Sequence, residues 1–198
     1  LERHPDTWTA YRAERDRALH GAERDRGLAR RLEAARAGET GIDCFDAWAR
    51  ELREWGYLHN HARMWFASIW TFTLKLPWTL GADFFLRHLL DGDPASNTLG
   101  WRWVAGLHTR GKTYLARRDN ILRFTDGRID PGPDLAVHAE PLTEVVSPQH
   151  LDIAWPKTPT AGERPAWLVT EEDCRADDLL PDSASAACRF GLLSTGAR

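Results

Sequence analysis

Between residues 59 and 103 the sequence concentrates side chains able to hold a charged or redox-active group. They are His59, Asn60, His61, Arg63 and Met64, then Asp91, Asp93 and Asn97, with Trp78, Trp101 and Trp103 interleaved. An arginine in an apolar run is costly unless a carboxylate neutralises it, and Asp91 or Asp93 is the obvious partner for Arg63. On spacing alone the set reads as a satisfied core ion pair. The convergence of Arg63, Asp91, Asp93, Asn97 and two tryptophans also fits a cofactor pocket, where a few placed polar groups sit among aromatics. A metal site from His59-x-His61 and Asp91-x-Asp93 is disfavoured, because residues two apart on a helix point in different directions and no third ligand stands at the right spacing. Nucleophilic catalysis has less support still: there is no GxSxG and no Gly-rich phosphate loop. Cys44, Cys174 and Cys188 are widely spaced without a CxxC, which argues against a disulfide framework or structural zinc and for a reducing compartment.

The elements that must position these residues are helical. Thr7 to Ala37 is Arg/Glu/Ala-rich and reads as exposed helix, broken near Gly21 or Gly27. After a break at Gly38–Gly41, Phe45, Trp48, Leu52 and Trp55 recur at helical steps, with Asp43 expected as N-cap and Gly56 as C-cap. His59 to Leu76 is apolar nearly all round and is predicted to be one central helix ended by Pro77. At about 27 Å for five turns, it would set Asn60 and Trp78 on one side at opposite ends. A third helix is predicted over about 80–90, closed by Asp91-Gly-Asp-Pro; Asp93 then caps a fourth, with Pro94 in its first position and Asn97 one turn before Trp101.

The chain has 198 residues, 42% hydrophobic and 28% charged, and a formal charge of -3, so it is neither a disordered polyampholyte nor a basic nucleic-acid tail. Charge is uneven. Residues 1–101 carry 14 basic and 15 acidic side chains, 102–128 carry 7 and 2, and 129–198 carry 5 and 12. The middle stretch, with Arg102, Arg110, Lys112, Arg117, Arg118, Arg123 and Arg128, is the one electrostatic candidate for a polyanion, or else a solvated face. Eight of the eleven prolines follow Arg128, and there only Trp167-Leu168-Val169 looks like a buried patch, so an irregular acidic tail is expected over 129–198. The fold class is mainly α, with a helical domain over 1–128. No apolar run is long enough for a membrane span and no signal-peptide pattern stands at the N-terminus, so a soluble, cytoplasmic protein is expected. Ten tryptophans are about four times average usage. The chain starts at Leu1 and its single methionine is Met64, so a piece of a longer polypeptide is expected.

Three segments together resemble the flavin-binding core of the cryptochrome/photolyase family. They are Gly56-Tyr-Leu-His-Asn-His-Ala-Arg-Met64, the Trp78 that follows, and Leu90-Asp-Gly-Asp-Pro-Ala-Ser-Asn-Thr-Leu-Gly-Trp-Arg-Trp103. The family pattern is GW[ML]HNRxRM, a tryptophan at the helix end, then DGDxAxNxxxWxW, and the resemblance covers roughly 38–125. It implies a multi-helical FAD-binding domain, incomplete on its N-terminal side. An α/β antenna domain, any antenna chromophore, and the helices that hold the flavin diphosphate and adenine would lie before Leu1. It implies that Asp91 and Asp93 contact the flavin ring and ribityl region, that Arg63 pairs beside the ring, and that Asn97 faces flavin N5. There an amide can accept from N5–H and favour the reduced state. It implies Trp101 and Trp78 as electron carriers, and Asn60, His61, Met64 and Trp103 as contacts to a pyrimidine dimer flipped from DNA.

Two departures accompany the match. Where many members carry an outer tryptophan, thirty-five residues before Asn60, this chain has Asp25, leaving Trp48, Trp55, Trp65 or Trp70 as substitutes. Residues 117–125 also differ from the family's arginine-Ile-Phe-Asn-Pro stretch. The implied activity is a lyase reaction, blue-light repair of pyrimidine dimers in DNA by the full-length parent. The alternatives are a cryptochrome-like light sensor without repair, or an inactive fragment.

Overall fold

The computed structural model describes residues 5–109 and 112–143, and the backbone of 166–169 and 186–189. The first stretches form a helical body. Helix α1 (Pro5–Arg24) packs on α5 (Trp78–His88) and on α2 (Arg26–Ala37), which in turn packs on α3 (Asp43–Trp55). Helices α4 (Asn60–Ser68) and α6 (Pro94–Ala105) pack on each other and both touch α5, and a short α7 (Arg118–Phe124) follows. The expected mainly α class holds. In the segment expected to be irregular, two four-residue strands, β1 (Ala166–Val169) and β2 (Ala186–Arg189), pair in parallel with Ala166 opposite Ala186. Trp167-Leu168-Val169 therefore lies on a strand, whereas Cys174 and Arg110 lie outside the described residues.

The break in the first helical run falls near Gly27, as expected, though not on the glycine itself. Asp25 makes it: its extended backbone ends α1, and its carboxylate accepts from Gly27 N (2.8 Å) and Leu28 N (3.1 Å), capping α2. The cap expected at Asp43 is also displaced. Asp43 is the first helical residue, while buried Asp46 reaches back to accept from Thr40 N (2.9 Å), Thr40 Oγ1 (2.7 Å) and Gly41 N (2.9 Å). Removing that carboxylate leaves three donors unpaired. Asp46→Ala is expected to destabilise the fold by about 3 kcal/mol, read as a lower denaturant midpoint at unchanged slope. On α3 the stripe buries Phe45, Trp48 and Leu52, but Trp55 is 67% exposed in the last residue before the left-handed Gly56.

The long helix predicted over 59–76 is shorter. It runs as α4 to Ser68, widens into a π-turn over Ile69–Thr73, and ends. Lys75 takes a left-handed φ of 55°, and Pro77 bars its predecessor from helical backbone. Trp78 consequently opens α5 rather than sharing one helix with Asn60. This places α5 at the centre, with Trp78 through Phe85 all buried. Around it Phe66 stacks on Phe45 (4.2 Å between centroids), meets Phe85 (5.0 Å) and stands edge-on to Trp101 (6.5 Å).

Packing continues past residue 128. Leu135 is buried, Ala136 N donates to Thr73 Oγ1 (3.1 Å) and Leu142 N donates to Ala105 O (3.0 Å), so 129–143 is attached to the helical body. Among the described residues no helix is long and apolar enough to cross a membrane.

Candidate cofactor pocket

Helices α4 and α6, with the Leu89–Asp93 turn, enclose a cavity of about 260 Å³. Each wall follows from a local sequence rule. His59 Nδ1 accepts from His61 N (3.3 Å) and so starts α4, which puts Asn60, Arg63, Met64 and Ala67 along the cavity. Asp93 caps α6 by accepting from Ser96 N (2.6 Å), and Pro94 occupies the first turn, where its missing N–H is harmless. That start brings Asn97, Gly100, Trp101 and Val104 to the opposite wall.

Arg63 donates from Nε to Leu58 O (2.8 Å) and from Nη2 to both carboxylate oxygens of Asp91 (2.8 and 3.0 Å), and its guanidinium lies over the Tyr57 ring. The side chains are 23% and 55% exposed, so the pair stands at the mouth of a cavity instead of in a sealed core. An ion pair this open contributes about 0–1 kcal/mol to stability; its consequence is geometric, a cation held at the rim. Asp93 does not share Arg63 and serves as the cap.

Deeper in, the Asn97 amide donates through Nδ2 to Ala82 O (2.8 Å), which orients its oxygen as the acceptor left for the cavity. Trp101 is buried, and its Nε1 has no partner among the described residues. Trp103, at 43% exposure, tilts against Tyr114 (5.5 Å) at the rim. Nine of the ten residues to which the resemblance assigns roles are thus accounted for near this turn or on α5, but their placement differs. Asn60, Arg63, Met64, Asp91, Asp93, Asn97, Trp101 and Trp103 line the cavity; Trp78 lies elsewhere on α5. His61 does not join them. Its ring stacks on Trp65 (4.6 Å) and against Phe124 (4.7 Å), because the position after Asn60 turns away from α6.

Sequence reasoning missed the bare backbone at Gly100. A Cβ there would meet nothing within 4 Å, so it would take up cavity space. The available signal was a glycine inside a helix, a choice unfavourable by about 1 kcal/mol relative to alanine. The basic stretch is less free than its charge count suggests. Arg102 is buried, Arg118 pairs with Asp130 (2.7 Å), Arg117 with Asp119 (3.2 Å) and Arg128 with Asp126 (3.5 Å), while Arg123 covers Phe124.

The proposed substitute carriers do not lead outward from Trp78. Trp48 and Trp65 stack on each other (5.6 Å), Trp55 points to solvent, and Trp70 is wholly buried, edge-on to Trp101 (6.2 Å). Cys44 offers no nucleophile: burial pushes its thiol up to about 12, so it stays protonated at neutral pH. It is expected to resist alkylation in the native protein and to react on denaturation, as mass shift against denaturant would show.

A protein family described as the FAD binding domain of DNA photolyase matches residues 1–132. The chain therefore belongs to the photolyase FAD-binding-domain family, whose cofactor is FAD. Among curated relatives, the deoxyribodipyrimidine photo-lyase of Streptomyces griseus is 39% identical over 130 residues, covering 59% of this chain and 27% of that protein. Those of Alkalihalophilus pseudofirmus and Escherichia coli are 42% and 39% identical over 83 residues, covering 42% of this chain and 17% and 18% of theirs. The chain thus spans about a quarter of the first of these proteins and less of the others. No solved structure matches it.

Proposed function

We propose that this chain forms part of the flavin pocket of a photolyase-like flavoprotein that repairs pyrimidine dimers in DNA under blue light. The observation that carries the proposal is the cavity between α4 and α6. An aromatic wall, a free amide acceptor and a rim cation converge on it. Its volume lies near the lower end for small-molecule sites, which suits the ring end of FAD and not the whole dinucleotide. Bound there, reduced FAD would supply a light-driven electron to the dimer and receive it back.

The chain's own groups have separable tasks. Arg63 holds the rim through Leu58 and Asp91, and Asp93 keeps α6 in register. Asn97, fixed by Ala82, presents an oxygen able to accept a proton donor such as a reduced flavin N5–H. Trp101 closes the inner wall and excludes water. Trp103, with Asn60 and Met64, offers the face on which an extruded base stacks. Base stacking is worth about 1–3 kcal/mol. Trp103→Ala is accordingly expected to weaken binding of dimer-containing single strands by roughly tenfold or more, with flavin binding unchanged.

Irradiating the FAD-loaded full-length parent with a dimer-containing oligonucleotide tests the proposal. Light-dependent loss of dimers is expected; bound flavin with no loss contradicts repair. The pairing of Arg117, Arg118 and Arg128 with neighbouring carboxylates favours the alternative, light sensing without DNA, and that same result would support it.

A further inference from the structure

Asp25 cannot carry an electron, and it is occupied in capping α2. A different aromatic series does leave the buried face of Trp78. Tyr11 of α1 lies against it, with ring centroids 5.7 Å apart and planes tilted by 43°. Trp8, one turn earlier on the same helix, stacks on Tyr11 at 5.1 Å and 27°. Trp78 and Tyr11 are 2% and 1% exposed, whereas Trp8 is only partly buried, so the series runs from core to solvent. Inward it reaches the cavity. The Trp101 ring rests on Gly81, one turn after Trp78 on α5, and Trp70, edge-on to Trp101, donates its Nε1–H to Pro77 O (2.9 Å) beside Trp78.

We propose that Trp8 is the outer electron donor of this chain and that the Tyr11 ring bridges it to Trp78. The proposal rests on the flavin reading for its use in the protein, though its geometry does not.

Tyr11 is a bridge and not a stopping point. One-electron oxidation of a phenol requires its proton to leave, and the Tyr11 hydroxyl is buried with no hydrogen-bond partner among the described residues. Burial and the nearby Asp83 carboxylate further hold the phenol in its protonated form. The arginines Arg15 and Arg87 that face this region are bound to Asp83 and offer no base. Trp8, in contact with solvent, can release its indole proton to water. In the forward step one electron passes from Trp8 to the Trp78 radical cation. Trp78 returns to neutral indole, Trp8 becomes a neutral radical, and its proton enters the solvent. An external one-electron donor of the thiol class then restores Trp8.

The test needs no flavin. A flash-generated ruthenium(III) tris-bipyridine complex oxidises exposed indoles of the purified chain, and peptide mass spectrometry locates oxygenated tryptophan. A hole placed on Trp8 can exchange with Trp78 through Tyr11 before Trp8 loses its proton, so the expected result is a major product at Trp8 together with a minor one at Trp78, which solvent scarcely reaches. Trp8→Phe and Tyr11→Leu should abolish the Trp78 product. Tyr11→Phe, which keeps the ring and drops the hydroxyl, should retain it, and circular dichroism checks that each variant folds. Trp78 product that survives Trp8→Phe, or is lost in Tyr11→Phe, overturns the proposal. In FAD-loaded protein the same Trp8→Phe variant should bind flavin normally yet lose the long-lived tryptophan radical after a flash. Flavin that fails to bind would contradict the flavin reading and leave the ruthenium result to decide the relay.

Discussion

Replacing Gly81 by alanine should destabilise the helical body by about 3 kcal/mol, roughly 10 °C in melting temperature for a domain of this size. The reason is a close approach and not backbone freedom. An added Cβ would collide with Cη2 of Trp101 and lie 2.5 Å from its Cζ3 and 2.9 Å from Cε2 of Trp70. Both rings are large, rigid and buried, so neither can swing away as a flexible chain end would. Trp101 must shift toward the cavity that it walls, or α5 and α6 must separate. The substitution should therefore weaken flavin binding as well as stability. Thermal melting within about 1 °C of the unsubstituted chain would show that this contact is looser than described.

The second large effect is expected at Arg63. Arg63→Ala should reduce flavin affinity by roughly a hundredfold, about 2–3 kcal/mol, because charge-assisted hydrogen bonds of this kind are worth that much. The fold itself should lose little, since the ion pair is open to solvent. Arg63→Lys should rescue poorly. Only the guanidinium fork donates to Leu58 O and to Asp91 together, and an ammonium is a point charge that must choose. Flavin titration separates these outcomes: equal affinities for the arginine and lysine forms would mean that charge alone matters, and unchanged affinity in the alanine form would remove Arg63 from the pocket.

Local rules made much of this pocket legible in the sequence. Asp93 before Pro94 announces the start of α6, and that start alone puts Asn97 and Trp101 one turn apart. Gly56 announces the end of α3. That Arg63 pairs with Asp91 or Asp93 followed from the rule that an apolar helix does not leave an arginine unneutralised, and only the fold, which uses Asp93 as a cap, selects Asp91. Where the reading failed, a tertiary effect overrode a local pattern. The apolar run after His59 has helical composition throughout, but the π-turn at Ile69–Thr73 and the left-handed Lys75 divide it, and no periodicity reveals where. Trp55 keeps the α3 stripe in sequence yet is covered by no helix among the described residues. Asp43 has the right type for a cap, but Asp46 satisfies the preceding loop from inside the helix. The meeting of Trp8 and Tyr11 with Trp78 was invisible for another reason: it depends on α1 returning across α5, a pairing of segments far apart in sequence.

Titrating FAD into the purified chain and following flavin fluorescence tests the central claim most directly. With the isoalloxazine seated against Trp101, the chain should quench that fluorescence saturably, at one site per chain, and Arg63→Ala should shift the titration to higher concentration. Fluorescence that stays unquenched, or quenching that never saturates and is the same in Arg63→Ala, would contradict a flavin site between α4 and α6.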